Sequence, residues 1–290
     1  MNVRILKWTE PNRANTPPLH LASRGERYST VTGVWWIDEH QLVANHQCGL
    51  RLAMFDLQKD NLPAALFETP VRSDHVGAKK IDDGTWEIAV SCCWEAAYSL
   101  FHLSTDGTPR FSHVYTEGAK DRTFCHGASY DGHGQLCLAY HTGIDPRIEI
   151  NGVVSRLPAP WGPRYVCHFS EHDIYYAVAV SNNPKRLAYQ QTSASLWSKR
   201  HDESAWEMIL KLDDFHTDAC QIYGGRIWLP DQHGDRVIGF CLEGKKPPAI
   251  LSGKFLDFPH GLAISPAGML AVTNYGSSSI AVMDLSQMSL

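Results

Sequence analysis

Five histidines open short apolar runs in this 290-residue chain: His75 in SDHVGAKKI, His126 in TFCHGASYD, His168 in RYVCHFSEH, His216 in DFHTDACQI and His260 in DFPHGLAIS. A buried imidazole needs partners for its nitrogens, and several that converge make a ligand set. Neutral imidazoles suit zinc, iron(II), copper or nickel, whereas magnesium and calcium prefer oxygen. These residues therefore predict a divalent transition-metal site, with zinc or iron(II) ahead of copper, on His75, His126, His168, His216 and His260. Asp218 stands beside His216 as an alternative donor. His46, His141 and Asn274, at the ends of the following apolar runs, are expected to fix the imidazole tautomers. Asp231, Tyr140 and Tyr275 occupy similar positions and are the candidate acid–base groups. His102, His113, His133, His172 and His201 fall in outer strands or turns and read as solvated.

The elements that must bring these residues together repeat along the chain. Thr32, His75, His126, His168, Thr217 and His260 mark a common phase, with steps of 43, 51, 42, 49 and 43 residues. Each unit has three short apolar strands separated by turn residues such as DG, GHG, GG and PAG, then a fourth apolar stretch such as AALFET or PAILSGKF. Four strands every 40 to 50 residues describe a β-propeller blade. The chain thus predicts one all-β domain, a six-bladed propeller with blades starting near 30, 74, 124, 164, 215 and 258. The last unit has only three strands, and the segment 3–10, VRILKWTE, is expected to supply its outer strand and close the ring. Residues 11–29 read as a linker, and PAPWGPRY as a surface aromatic stretch that could cover a channel mouth. In this architecture the first strand of each blade lines the central channel, so residues at its start crowd one mouth.

Bulk properties narrow the partners. Net charge is −5, from 26 basic and 31 acidic residues, with no long basic run, so neither nucleic acid nor membrane is expected as a partner. No signal-peptide core and no apolar run of membrane-spanning length is present, which predicts a cytoplasmic protein. Eight cysteines without CxxC spacing read as reduced and buried. GxSxG, Walker A, Rossmann and HExxH patterns do not occur.

The final unit, FPHGLAISPAGMLAVTNYGSSSIAVMDL, resembles the blade consensus of six-bladed propellers of the NHL-repeat and gluconolactonase/regucalcin type. Within that group the metal logic is similar to that of peptidylglycine amidating lyase. The resemblance implies a catalytic zinc held by channel histidines, some in a Pro-His sequence. Pro259-His260 match most clearly, then His126 and His75. The gluconolactonase type uses Glu, Asn and Asp where this chain has His. The expected function is that of a metal-dependent lyase or hydrolase acting on a small polar molecule in the channel. A multi-His non-haem iron or copper oxygenase or oxidase, and a non-catalytic protein-binding scaffold, remain the alternatives.

Overall fold

In the computed structural model, which describes residues 2–14, 19–21, 25–27, 30–118, 121, 123–182 and 193–287, the chain is a six-bladed β-propeller. Blade 1 is built from Val31–Trp36, Gln41–His46, Arg51–Asp56 and Pro63–Glu68 in that order from axis to rim. The other inner strands are Val76–Asp82, Cys125–Tyr130, Trp161–Phe169, Gln221–Tyr223 and Pro259–Ile264. Each inner strand packs against its neighbour, and the last meets the first, so the ring is closed.

Closure depends on the N-terminal strand. Val3–Lys7 pairs antiparallel with Ser279–Asp284, Val3 opposite Met283 and Lys7 opposite Ser279. Just beyond it, the Trp8 amide donates to Ser278 O (3.1 Å) while the Ser278 hydroxyl donates to Trp8 O (2.6 Å). His46 completes this clasp: its Nδ1 accepts the Gly49 amide (3.0 Å), which leaves its proton on Nε2, 3.2 Å from Ser278 Oγ. The ring packs edge-on against Trp8 at 5.2 Å. The expected linker, where described, holds a short hairpin of Leu19–Leu21 and Gly25–Arg27. Three-residue strands are too short to show alternation in sequence. The rest of that stretch, 15–18, 22–24 and 28–29, lies outside the described residues, as does 183–192 of the fourth unit.

Apolar residues between blades make the core, with Trp228, Phe55, Phe101, Tyr165 and Tyr175 almost wholly buried. Near the axis the blades approach so closely that side chains must disappear. A Cβ on Gly127 would lie 2.4 Å from Arg164 O and 3.0 Å from Tyr165 Cα in the next inner strand. A Cβ on Gly261 would lie 2.4 Å from Thr32 O. Gly127→Ala is therefore expected to cost about 1–3 kcal/mol of stability through overpacking. A urea midpoint no lower than that of Gly118→Ala, whose nearest atom would be 4.0 Å away, contradicts this packing.

Candidate metal centre

The residues that reach the axis do so because the inner strands are irregular at their starts. Pairing with the second strand shifts register between Val31 and Val34, Cys125 and Gly127, Pro163 and Tyr165, and Pro259 and Leu262. A bulge of this kind re-aims a side chain that the pleat would otherwise send between blades. Thr32, His126, Arg164 and His260 all sit inside these shifts. His75 lies one residue ahead of its strand, and His216 and Asp218 precede the short fifth inner strand. Hydroxyls on second strands satisfy the freed backbone. Thr273 Oγ1 accepts the Gly261 amide (2.7 Å) and donates to Thr32 O of blade 1 (2.7 Å). Ser91 Oγ accepts the His75 amide (2.8 Å) and donates to His126 O of blade 3.

Asp74, His75, His126 and His260 converge, with one ligand atom of each lying within 4.8 Å of all the others. The rings of His75 and His260 stack at 4.9 Å, and His75 and His126 are 5.1 Å apart. His126 Nδ1 is 3.2 Å from Arg164 O and His260 Nδ1 is 3.1 Å from Thr32 O. A carbonyl only accepts, so both Nδ1 atoms carry the proton and both Nε2 atoms hold lone pairs. Those lone pairs face carboxylates. His126 Nε2 is 3.3 Å from Asp74 Oδ2 and 3.6 Å from Asp218 Oδ1, and His260 Nε2 is 3.3 Å from Asp218 Oδ2 and 3.7 Å from Asp74 Oδ1. His75 Nε2 is buried with no hydrogen-bond partner. Nitrogen and oxygen lone pairs facing one another in a buried site call for a positive charge between them, a proton or a metal ion.

The electrostatics separate the two carboxyls. Burial and the charge of Asp218 push Asp74 well above the usual carboxylate range. Burial also disfavours the Asp218 anion, but the Arg164 guanidinium, with His216 beside it, outweighs it and holds that group well below the usual range. Arg164 Nη1 is 3.5 Å and His216 Nε2 is 3.4 Å from Asp218, and Gln232 Nε2 donates to the same carboxylate. Gln47 Nε2 donates to Asp74 Oδ1 (3.3 Å). Burial keeps His75, His126, His141 and His260 neutral, the form that binds a metal.

The remaining candidates are placed as follows. His216 borders the cluster through Asp218 and stacks on His233 at 5.3 Å. His141 lies edge-on behind His126 at 5.1 Å, with its Nε2 3.4 Å from Cys93 Sγ. Tyr275 stacks on His260 at 5.4 Å and its hydroxyl donates to Gln47 Oε1 (3.3 Å); burial pushes its pKa well up, so it is a neutral phenol.

Five expected residues lie elsewhere. His168 belongs to the far end of its strand, because that strand already starts at Trp161 inside PAPWGPRY, while residues 158–160 lie exposed ahead of it. Pro158 and Pro160 precede the strand and Pro163 sits at its bulge, where no ladder amide is required. Arg164 takes the phase position instead. His46 stitches the ring closure described above, away from the imidazoles. Asn274 binds the preceding loop, donating to Phe255 O (2.9 Å) and accepting from the Asp257 amide (3.1 Å). Asp231 is paired with Arg236 Nε (2.7 Å), and Tyr140 is buried beneath the Arg147 guanidinium at 4.1 Å. The sequence reading missed Asp74, Arg164, Gln47 and Gln232. An x-Gly pair marks the phase at Thr32-Gly33, His126-Gly127 and His260-Gly261, and blade 4 lacks it.

No protein-family description matches the chain, and no curated protein matches it in sequence. Solved structures do resemble it. A protein of unknown function from Bacteroides thetaiotaomicron VPI-5482 has a TM-score of 0.69 at 11% identity, over 97% of this chain and 75% of that one. Virginiamycin B lyase from Staphylococcus aureus has a TM-score of 0.59 at 9% identity, over 98% of this chain and 100% of that one. Kuenenia stuttgartiensis hydrazine synthase has a TM-score of 0.58 at 11% identity, over 89% and 96%. At such identities the likeness establishes the fold alone. Among the described residues no helix is long and apolar enough to cross a membrane.

Proposed function

We propose that this protein is a metal-dependent enzyme of the lyase or hydrolase class that cleaves a small polar molecule at the channel cluster. The observation that carries this reading is the set of imidazole lone pairs, fixed by backbone carbonyls, that face two buried carboxyls. His75, His126, His260 and Asp74 would hold a divalent transition metal, zinc or iron(II) first. Bound there, such an ion supplies Lewis acidity and lowers the pKa of a coordinated water toward about 7 if it is zinc. The chain's own groups divide the proton work. Asp218, kept ionised by Arg164, accepts a proton, and the neutral Tyr275 phenol, on giving up its bond to Gln47 Oε1, donates a hydrogen bond to developing negative charge. Groups pushed apart in this way are a usual sign of acid–base assignment.

Virginiamycin B lyase supports the lyase class by analogy of fold, and a His-to-Ala variant of that enzyme is catalytically inactive. The eight free thiols support a reducing, cytoplasmic setting, including Cys167 and Cys220 with sulfurs 3.3 Å apart and unbonded. Elemental mass spectrometry of the natively purified, extensively dialysed protein tests the proposal. One equivalent of zinc or iron per chain that disappears with His126→Ala and His260→Ala is the expected result for the channel. Retained iron or copper with oxygen-dependent turnover moves the assignment to an oxidase. Metal-free protein that takes up neither ion sinks the proposal and leaves a scaffold.

A further inference from the structure

Three imidazoles that the channel cluster does not use gather at the other end of the inner strands, between blades 3 and 4. His133 lies in the turn that follows the inner strand of blade 3, Asp173 in the corresponding turn of blade 4, and His201 just after the third strand of blade 4. His168 is four residues beyond Arg164 along its strand, about 13 Å at ~3.3 Å per residue. These turns therefore sit on the face opposite the channel mouth that holds His126 and His260.

We propose that His133, His201 and Asp173 form a second binding site for a divalent transition-metal ion, independent of the channel cluster. One ligand atom from each lies within 4.8 Å of the other two. His133 Nε2 is 3.1 Å and His201 Nδ1 4.0 Å from Asp173 Oδ1. Two imidazoles and a carboxylate suit zinc, nickel or copper, and at 45–50% side-chain exposure water can fill the remaining positions.

The surroundings orient this set more closely than a surface ion pair requires. His168, whose side chain is 2% exposed, accepts the Gly132 amide on Nδ1 (3.0 Å), so its proton is on Nε2 and is donated to Asp173 Oδ1 (3.0 Å). It therefore positions the carboxylate and does not bind the ion, a relation that resident metal ligands commonly show. Tyr175 stacks on the His201 ring at 5.9 Å; its hydroxyl donates to Asp131 Oδ2 (2.7 Å) and its oxygen stands 3.2 Å from His201 Nδ1, so a hydrogen bond from that nitrogen leaves Nε2 as the ring's donor atom to an ion. Asp173 is held at φ 52° in its turn, and its Oδ1 lies 3.1 Å from His133 Nε2 and 3.0 Å from His168 Nε2. An exposed pair such as His133–Asp173 contributes little to stability by itself. It explains neither the third imidazole nor the buried His168 that fixes the carboxylate from behind.

Zinc chloride titrated against the purified protein in competition with a chromophoric chelator tests the site. His133→Ala with His201→Ala, both exposed and distant from the core, is expected to lower zinc stoichiometry by one whatever the channel binds. In a His126→Ala, His260→Ala background one equivalent is expected to remain, and to disappear when the surface pair is also replaced. His168→Gln should keep the stoichiometry and weaken affinity about 10- to 100-fold. Stoichiometry unchanged by the surface pair overturns the second site and leaves the channel proposal untouched. Loss confined to the channel variants overturns it as well.

Discussion

The His126→Ala, His260→Ala protein is expected to lose the channel metal and any metal-dependent turnover, and its melting temperature should no longer respond to zinc or iron(II). The effect is large because those two imidazoles present pre-aimed Nε2 atoms, each set by a carbonyl of the neighbouring blade, Arg164 O and Thr32 O. An ion at a hundred times its dissociation constant stabilises the folded state by about 2.7 kcal/mol. For a chain of this length that corresponds to roughly 5–10 °C in melting temperature. The measurement is cleanest with His133→Ala and His201→Ala present in both proteins, so that zinc at the surface cannot contribute. Native circular dichroism for the variant, together with an undiminished metal response, is the outcome this reading does not survive.

Stability of the metal-free protein should fall as the pH drops below about 6.5, earlier than carboxylate titration alone would cause. Burial lowers the pKa of His46 to about 4, and its two ring nitrogens are engaged with Gly49 and Ser278 in the neutral form. Between pH 6.5 and 4 the unfolded chain binds this proton and the folded chain does not. Stability therefore rises with pH across that window and is lost on acidification. At about 1.36 kcal/mol per pH unit, His46 alone removes about 3 kcal/mol by pH 4. His75, His126, His141 and His260 are shifted in the same direction by burial and steepen the loss. Asp74, raised by burial and by Asp218, opposes it in part, since its folded form retains a proton that the unfolded chain gives up above the ordinary carboxylate pKa. Asp218, held low, contributes only below that value. Urea midpoints compared at pH 7.5 and 5 check the sum. Equal midpoints would mean that these imidazoles are not buried as described.

How far the site was legible depends on which residues announce themselves locally. Pro259-His260-Gly261 and His126-Gly127 carry both the ligand and the glycine that lets the next blade pass, so a phase could be read from either. Arg164 carries neither signal. It follows a proline in a stretch that looks like a loop, and its neighbour Tyr165 has a side chain where blades 1, 3 and 6 have glycine. The nearest histidine to that position is His168, four residues further on. Asp74 escaped notice because a carboxylate ahead of a strand is ordinary turn chemistry until its burial is known. Asp231 and Tyr140 failed for the opposite reason. Their positions resemble site positions, but Arg236 and Arg147 engage them.

Blade number, ring closure by Val3–Lys7 and the convergence of His75, His126 and His260 follow from the sequence, because alternating apolar strands and turn residues are local signals repeated six times. Tertiary structure alone decided which carboxyls join them, which tautomers they hold and that His168 belongs to a different face. Those properties arise between blades, where a bulge of one residue turns a side chain toward the axis and a neighbour's carbonyl fixes its proton. No stretch of chain contains both partners.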